Sequence, residues 1–248
     1  MEIYMPRFFV NPESFRENTV NIVGDDAFHI ARSLRMAVGD TVTVADSKGY
    51  EYTCTLLKIR DDVCECEVVD KRYAKSESPV EITLYMGYPK GDKLELVIQK
   101  AVELGVSRIV PFESSRCVKR PRADKAEKQG ARLSRIAEEA AKQCGRARLS
   151  EVSAPLDFLP MLKDASEKDL ALFCYEGEGT VSLKDILSKN TDVKSIAVIV
   201  GCEGGFSESE ALAAKDAGLT SVNLGPRILR CETAPLYALA AISYSYEL

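Results

Sequence analysis

VGCEGGFS at residues 200–207 and LGPRILRCETA at residues 224–234 are two glycine-containing loops, and each follows a short apolar strand and precedes a helix. The strand before the first loop is IAVIV, and Ser207 is the expected N-cap of the helix that follows. Because an α/β sheet binds ligands at the C-terminal ends of its strands, the two loops predict one small-molecule pocket formed largely by main chain. Alternatively, these glycines are ordinary turn residues and helix caps.

Outward from these loops, strand-like and helix-like segments alternate. EITLYMGYP, RIVPFES and LALFCYE have the composition of buried strands, whereas DKLELVIQKAVELG and residues 124–144 have that of helices. Alternation of this kind is typical of a mostly parallel sheet covered by helices on both faces. We therefore predict an α/β domain at residues 81–248.

The N-terminal third has a different pattern. Residues 1–72 contain five short segments rich in valine, threonine and aromatic residues, separated by turns, with one helix predicted in DAFHIARSLRMAVG. This content predicts a small β-barrel domain. The polar residues 73–80 are expected to be a linker to the α/β domain.

The composition is that of an ordinary soluble protein, with 248 residues, 46% hydrophobic and 29% charged. The chain has no apolar run long enough to span a membrane and no signal-peptide pattern at its start, so we expect a cytoplasmic protein without membrane contact. Eight cysteines lie mostly in apolar segments, where reduced cysteine packs as a small hydrophobe. With a single histidine in the chain, no metal site is expected.

The charge is distributed unevenly along the chain. The net charge is −5, but residues 116–148 contain eleven Lys and Arg against four Asp and Glu. Such a basic segment either contacts the phosphates of a nucleic acid or is the solvated face of a helix.

The glycine loops lack the common nucleotide-binding motifs. There is no G-x-x-x-x-G-K-[ST], no G-x-G-x-x-G follows a strand, and neither loop contains a lysine. The charged residues of the loops are Glu203, Arg227, Arg230 and Glu232. This set suits a ligand with little phosphate, such as a nucleoside held by backbone groups.

The two loops resemble the C-terminal signature of the RsmE family of 16S rRNA uridine-N3 methyltransferases. PRFFV, HIARSLRMAVGD, KGDKLELVIQKAVELGVSRIVPFES and KQCGR also lie where that family has similar segments. The resemblance implies a SPOUT-type α/β domain with a deep C-terminal trefoil knot and an N-terminal PUA-like RNA-binding domain. Two residues depart from the family pattern, namely Cys202 in place of the usual proline and Cys231 in place of the usual threonine.

The resemblance further implies that S-adenosylmethionine (SAM) binds in the knot as the methyl donor, without a metal. The donor would be surrounded by residues of three segments: Leu172, Phe173, Cys174, Val200, Gly201, Glu203, Gly204, Gly205, Leu224, Gly225, Arg227, Ile228 and Leu229. Because uracil N3 must lose a proton, a nearby cation would favour the reaction. Arg230 and Arg7 are the candidates for this cation, or for holding a flanking phosphate. Glu232 is expected to accept the proton, to position Arg230, or only to cap the last helix.

The expected partners are 16S rRNA, as part of the small ribosomal subunit or a precursor of it, and a second copy of the chain in a homodimer. The candidate RNA contacts are Arg7, His29, Arg32, Arg35, Arg116, Lys119, Arg120, Arg122 and Arg146. His29, Arg32 and Arg35 have a spacing that predicts one broad helix face, and the alternative for that face is simple solvation.

Overall fold

A computed structural model of the chain describes residues 5–118 and 126–248. The chain divides into two compact units. The N-terminal unit contains the chain up to Glu77 together with Ala141–Leu149, and the C-terminal unit contains Ser78–Ala140 and Ser150–Leu248. No helix among the described residues is both long enough and apolar enough to cross a membrane.

The N-terminal unit is built on a six-stranded sheet. Its strands are β1 (Arg7–Phe9), β2 (Phe15–Arg16), β3 (Thr19–Val23), β4 (Thr41–Ala45), β5 (Tyr50–Ile59) and β6 (Val63–Tyr73). They pair in the linear order β1-β4-β5-β6-β3-β2, with β1 parallel to β4 and the other pairs antiparallel. The described strands therefore pair in a linear order with two ends, and the small β-barrel stays a prediction for this unit.

The core of this unit follows the alternation of its strands. Alternate residues such as Val42 and Val44 in β4 are fully buried, and Cys64 and Cys66 in β6 are buried beside them. Both thiols therefore lie on the core face of β6, which agrees with the expectation that reduced cysteines in apolar segments pack as small hydrophobes. Burial raises the pKa of Cys66 to about 12, so this thiol is protonated and packs as a hydrophobic group.

The predicted helix of this unit is shorter than expected. It comprises α1 (Asp25–Phe28) and a π-helical turn at His29–Ser33, and Arg35 beyond it has a φ of 53°. The side chains of His29, Arg32 and Arg35 are all exposed. Because the last of them lies outside the helix, the regular helix face predicted from their spacing is not present.

The segment 141–149 belongs with the N-terminal unit because of Glu77. Its carboxylate accepts hydrogen bonds from the backbone N–H groups of Ala147 and Arg148 at 2.8 and 3.0 Å, and it pairs with Arg146 at 3.0 Å. The Arg146 and Glu77 side chains are only 3% and 2% exposed. The expected linker therefore contains a buried structural carboxylate, and Arg146 lacks the exposure that the predicted RNA contact requires.

The C-terminal unit is an eight-stranded sheet with helices. Its strands are β7 (Glu81–Gly87), β8 (Arg108–Glu113), β9 (Glu151–Val152), β10 (Leu156–Asp157), β11 (Leu170–Cys174), β12 (Val181–Ser182), β13 (Ser195–Val200) and β14 (Thr220–Asn223). Its helices are α2 (Lys93–Glu103), α3 (Ala126–Cys144, which ends in the other unit), α4 (Phe158–Ser166), α5 (Leu183–Lys189), α6 (Glu208–Asp216) and α7 (Thr233–Glu247).

The sheet order is β10-β8-β7-β13-β11-β14-β12, with β9 beside β8, and the pairs are parallel. The predicted α/β fold with a parallel sheet is thus confirmed. The central strands β13 and β11 are apolar and almost completely buried, as expected for a sheet covered on both faces. Because these strands are parallel, their C-terminal ends lie side by side at one end of the sheet, and the loops that follow β13 and β14 start there.

Candidate functional site

A cavity of about 600 Å³ lies beyond the C-terminal ends of β11, β13 and β14. It is lined by residues 200–206 and 222–232, with Lys93, Cys174, Tyr175, Glu176 and Ala234. We call residues 200–206 the first loop and residues 224–232 the second loop. The two glycine-containing segments that the sequence singled out therefore line one cavity, in the position predicted for a ligand of an α/β sheet.

The first loop is anchored where it ends. The ring of Phe206 stacks on Phe112 at a centroid distance of 6.2 Å and packs on Phe173 at 4.2 Å, in the core beneath the loop. Ser207 then starts α6 with a capping box, in which its hydroxyl accepts from the N–H of Glu210 and the Glu210 carboxylate accepts from the N–H of Ser207. Both features fix the direction in which the chain leaves the cavity.

A turn after β8, at residues 114–118, supports the first loop from the side. Arg116 donates from Nη1 to the carbonyl oxygen of Gly204 at 2.9 Å, and the Cys202 thiol donates to the Arg116 carbonyl at 3.2 Å. The N–H of Ser115 donates to Glu210 at 2.7 Å. Arg116, predicted as an RNA contact, is thus a neighbour of the cavity whose guanidinium already has a backbone partner.

The first loop also approaches the end of β7 very closely. A Cβ atom added at Gly87 would lie 2.5 Å from the backbone nitrogen of Cys202 and 2.9 Å from the carbonyl carbon of Gly201. Both distances are shorter than the contacts that real Cβ atoms make, and backbone atoms cannot rotate out of the way as a side chain can. Glycine at position 87 therefore allows the main chain of the first loop to lie directly against the sheet.

Three charged side chains meet at one side of the cavity. Lys93, the first residue of α2, places its Nζ 3.0 Å from Glu203 Oε1 and 3.3 Å from Glu232 Oε2. Burial alone would raise the pKa of Glu203, but the hydrogen bonds from Lys93 and from the N–H of Lys90 hold it below its ordinary value. The pKa of Glu232 is also lowered, because its own backbone N–H and then Cys231 and Lys93 stabilise the carboxylate. Both glutamates are therefore ionised at neutral pH.

Glu232 precedes α7 as its N-cap residue, but its side chain makes no capping hydrogen bond. It pairs with Lys93 instead. The capping interpretation of Glu232 is therefore wrong for its side chain. Arg230 lies on the same loop with an exposed side chain, and no side-chain hydrogen bond or ion pair of Arg230 is present within residues 5–118 and 126–248.

Most of the residues expected around a methyl donor line this cavity. They are Cys174, Val200, Gly201, Glu203, Gly204, Gly205, Leu224, Gly225, Arg227, Ile228 and Leu229, together with Arg230 and Glu232. Leu172 and Phe173 do not line it, because both side chains are fully buried within β11 and only the last residue of that strand reaches the cavity.

Arg7 has a different environment. In the N-terminal unit, its Nη2 lies 2.7 Å from the carboxylate of Glu51, which is 9% exposed and also binds Arg72. Arg7 additionally donates to the carbonyl oxygen of Arg146 at 3.4 Å. Its guanidinium neutralises a buried carboxylate of its own unit, which contradicts a free catalytic or phosphate-binding cation.

The remaining predicted RNA contacts fall into two groups. Arg32 is exposed but pairs with Asp61 at 2.5 Å, whereas His29 and Arg35 are exposed near the short helix. Lys119, Arg120 and Arg122 lie outside the described residues.

The sequence did not single out Lys93, Tyr175 or Glu176, which also line the cavity. Lys93 is separated from Glu203 by 110 residues, so no local spacing connects them. The available signal was topological, because β7 and β13 are neighbours and the residues after them meet at one edge of the sheet. For Tyr175 and Glu176 the signal was simpler, since they continue directly from the predicted strand LALFC.

The two cysteines that depart from the family pattern both make contacts. Cys202 donates its thiol hydrogen to the Arg116 carbonyl, a bond that proline cannot make. The Cys231 thiol donates to Glu232 at 3.3 Å, and its sulfur lies 3.8 Å from Lys93 Nζ. The hydroxyl hydrogen bond expected from the usual threonine is thus replaced by a weaker thiol bond.

The charges that line the cavity suit the expected methyl donor. Its lining contains three cationic side chains, Lys93, Arg227 and Arg230, and three carboxylates, Glu176, Glu203 and Glu232. A balanced set of this kind suits a zwitterionic ligand with little phosphate better than a nucleoside triphosphate. Among the described residues no group of histidine, cysteine or carboxylate side chains is arranged to hold a metal ion.

Comparison with known proteins relates both units to RNA methylation. Residues 76–243 match the model of an RNA methyltransferase domain, and residues 22–69 match that of an RNA methyltransferase PUA domain. The chain is 36% identical to the ribosomal RNA small subunit methyltransferase E of Bacillus subtilis (strain 168), over 93% of this chain and 91% of that protein. It is 32% identical to the protein of the same name from Synechocystis sp., over 97% and 78%.

Solved structures give the same relationship. A ribosomal RNA small subunit methyltransferase E from Neisseria gonorrhoeae, bound to S-adenosyl methionine, superposes with a TM-score of 0.85 at 33% identity and covers 98% of each chain. A protein from Legionella pneumophila in complex with SAM superposes with a TM-score of 0.85 at 26% identity, again over 98% of each chain.

Proposed function

We propose that this chain, which belongs to the ribosomal RNA small subunit methyltransferase E family, transfers a methyl group from S-adenosylmethionine to N3 of a uridine in 16S rRNA. The family membership confirms the resemblance drawn from the glycine loops. The observation that carries the proposed function is the meeting of both glycine loops in one cavity at the C-terminal edge of a parallel sheet.

The donor is held mainly by the two loops. When bound, SAM supplies an electrophilic methyl group on a sulfonium. The peptide groups of residues 200–205 and 224–229 are available to match the polar edge of an adenine, and an unmatched buried polar group costs about 1–3 kcal/mol. Cys174, at the end of β11, closes the floor of the cavity.

Arg230 is the candidate for the catalytic cation. Its exposed guanidinium lines the cavity, so it is available to stabilise the negative charge that develops on uracil as N3 loses its proton. Glu232 is held as a carboxylate by Lys93 and has a lowered pKa, which makes it a poor proton acceptor. We assign Glu232 to the positioning of this part of the second loop.

The RNA would contact the N-terminal unit through the exposed His29, Arg32 and Arg35. The PUA domain match and the exposure of these side chains support this assignment. Arg146 and Arg7 are excluded from it by their buried ion pairs.

A trefoil knot and a homodimer complete the proposal. The strand order β7-β13-β11-β14 is not sequential, which is compatible with a chain that threads a loop in the C-terminal unit.

Exposed apolar side chains near the cavity and on α7, namely Ile228, Tyr237 and Tyr244, support a contact with a second copy. With 16S rRNA in the small subunit or a precursor as its proposed substrate, we expect the protein to act in the cytoplasm.

Reverse transcription of 16S rRNA tests the reaction and its position together. N3-methyluridine blocks the pairing edge, so RNA from cells with the protein should give one discrete stop that is absent from cells without it. Restoring the gene should restore the stop. If the stop is the same in both strains, or if the purified protein shows no binding of SAM by calorimetry, the proposed function is wrong.

Arg230→Ala tests the catalytic assignment. We expect methyl transfer to fall about a hundredfold, because one preorganised cation is lost at the charge that develops. The dissociation constant for SAM should change less than threefold. An equal loss of both would show that Arg230 holds the donor instead.

A further inference from the structure

The ammonium of Lys93 connects three segments that are distant in the sequence. Its Nζ lies 3.0 Å from Glu203 in the first loop, 3.3 Å from Glu232 at the end of the second loop, and 3.8 Å from the sulfur of Cys231. Lys93 itself starts α2, after β7. One cation therefore touches both loops of the cavity from a third element.

Glu203 is tied to the segment before α2 by more than this ion pair. The N–H of Lys90 donates to its Oε1 at 3.1 Å and to its Oε2 at 3.4 Å. Both oxygens of Glu203 therefore have partners from residues 90–93, whereas the partner of Glu232 from that segment among the described contacts is Lys93. The ammonium is consequently a link between the second loop and the first.

Without this cation, two carboxylates would face each other at the side of the cavity. Two carboxylates that lie close together repel each other, and one of the two then takes up a proton more readily. Most exposed ion pairs contribute little, and the Lys100 pair with Glu103 within α2 is of that kind. Lys93 has a similar exposure but differs because it pairs with two carboxylates and joins separate chain segments.

We propose that Lys93 is a positioning residue of the methyl-transfer cavity, which holds the two loops together by neutralising Glu203 and Glu232. The identity of the ligand in this statement rests on the proposed function, but the link between the loops does not. Among the described residues, the Lys93 ammonium meets the two loops at the side chains of Glu203, Glu232 and Cys231, so it acts on the loops through these side chains and chiefly through the two carboxylates.

The first experiment uses the protein without ligand. Lys93→Met should lower the Tm by about 3 °C. Glu232→Gln should lower the Tm in the natural background but raise it in the Lys93→Met background, because there it removes a repulsion. Lys100→Met, on the same helix and away from the cavity, is the matched control and should not reverse the effect of Glu232→Gln. The same sign for Glu232→Gln in both backgrounds would overturn the proposal.

The second experiment measures SAM affinity by calorimetry between pH 8 and pH 5. Lys93→Met should weaken binding about tenfold at pH 8, and Lys93→Arg should restore it to within about twofold. The loss should shrink towards pH 5, since one of the two facing carboxylates, Glu203 or Glu232, takes up a proton more readily once the cation is gone. The other titratable groups that line the cavity and its cations are common to all variants: Cys174, Tyr175, Glu176, Cys202, Cys231, Arg227 and Arg230.

The outcomes separate the two proposals. If the natural protein does not bind SAM, the proposed function fails, and the Tm comparison still decides the role of Lys93. If the natural protein binds SAM and Lys93→Met binds equally well, or loses affinity to the same degree at every pH, the role of Lys93 is wrong while the function stands.

Discussion

The side chain of Arg116 lies against the backbone of Gly204. Arg116 Nη1 donates to the Gly204 carbonyl oxygen at 2.9 Å, and a Cβ atom added at Gly204 would lie 2.9 Å from Arg116 Cβ. The turn at residues 114–118 therefore determines where the middle of the first loop lies, although it is about ninety residues away in the sequence.

Arg116→Met should weaken SAM binding about fivefold, because it removes a charge-assisted hydrogen bond to the loop while keeping a side chain of similar length. Arg116→Lys should have a smaller effect. Calorimetry is the measurement, and Arg135→Met is the control, since Arg135 is an exposed arginine of α3 that pairs with Glu139 one turn away. Equal affinities for Arg116→Met and Arg135→Met would show that the loop does not depend on this bond.

Gly87→Ala should lower the free energy of unfolding by about 3 kcal/mol, because the new methyl group overlaps the backbone of Cys202. The φ of Gly87 is not in the left-handed region, so backbone conformation alone would favour alanine. Urea denaturation measures the change. Gly130→Ala is the matched control, because Gly130 lies in α3 and no described atom lies within 4 Å of a Cβ added there. This change should raise the free energy of unfolding by about 0.8 kcal/mol. Stabilisation by both changes would mean that the first loop does not lie against β7.

Glu210 links α6 to the turn at Ser115, and its replacement should lower the free energy of unfolding by an amount that depends on pH. Burial raises the pKa of Glu210, but donors at Ser115 and Ser207 more than offset this, so its pKa lies below the ordinary 4.5. A lowered pKa in the folded state means that the carboxylate stabilises the fold above pH 4.5 and that this contribution is lost as the pH falls through the lowered pKa.

Glu210→Ala should therefore reduce the free energy of unfolding by about 1.5 kcal/mol at pH 7. The difference from the natural protein should vanish in strong acid. Glu208→Ala changes an exposed glutamate in the same helical turn and should leave stability almost unchanged. A cost of Glu210→Ala that persists unchanged below pH 3 would be incompatible with the ionised carboxylate.

The elements near the cavity were predictable because their signals are local. The apolar strand at 196–200, the N-cap at Ser207 and the helix after it follow from adjacent residues, and the loops between them follow from glycine. The parallel sheet followed from alternation along the chain. Leu172 and Phe173 were misplaced because a strand's interior residues are covered on both faces and only Cys174 reaches the cavity.

The long-range contacts were not predictable in this way. Glu77 and Arg146 form a buried pair across 69 residues, and Arg7 pairs with Glu51 across 44. In the sequence these arginines have the same appearance as solvated ones, since only the partner distinguishes a buried ion pair from an exposed cation. The position of Lys93 between two glutamates depends on the strand order in the same way, and composition carries no record of that order.

RNA binding by the N-terminal unit should depend on the pair formed by Arg32 and Asp61. Both groups are exposed, and Arg32 donates two hydrogen bonds to Asp61, so a phosphate must compete with that carboxylate. Asp61→Asn should therefore tighten RNA binding, and the plot of log affinity against log salt should become steeper by about 0.7 for the additional phosphate contact. Asp62→Asn removes the same charge from the neighbouring exposed residue without freeing Arg32, which separates the specific effect from the change in net charge.

Arg35→Gln should weaken binding and flatten the slope, because no side-chain partner of Arg35 is present within the described residues. Identical slopes for Asp61→Asn, Asp62→Asn and the natural protein would remove Arg32 from the RNA contact.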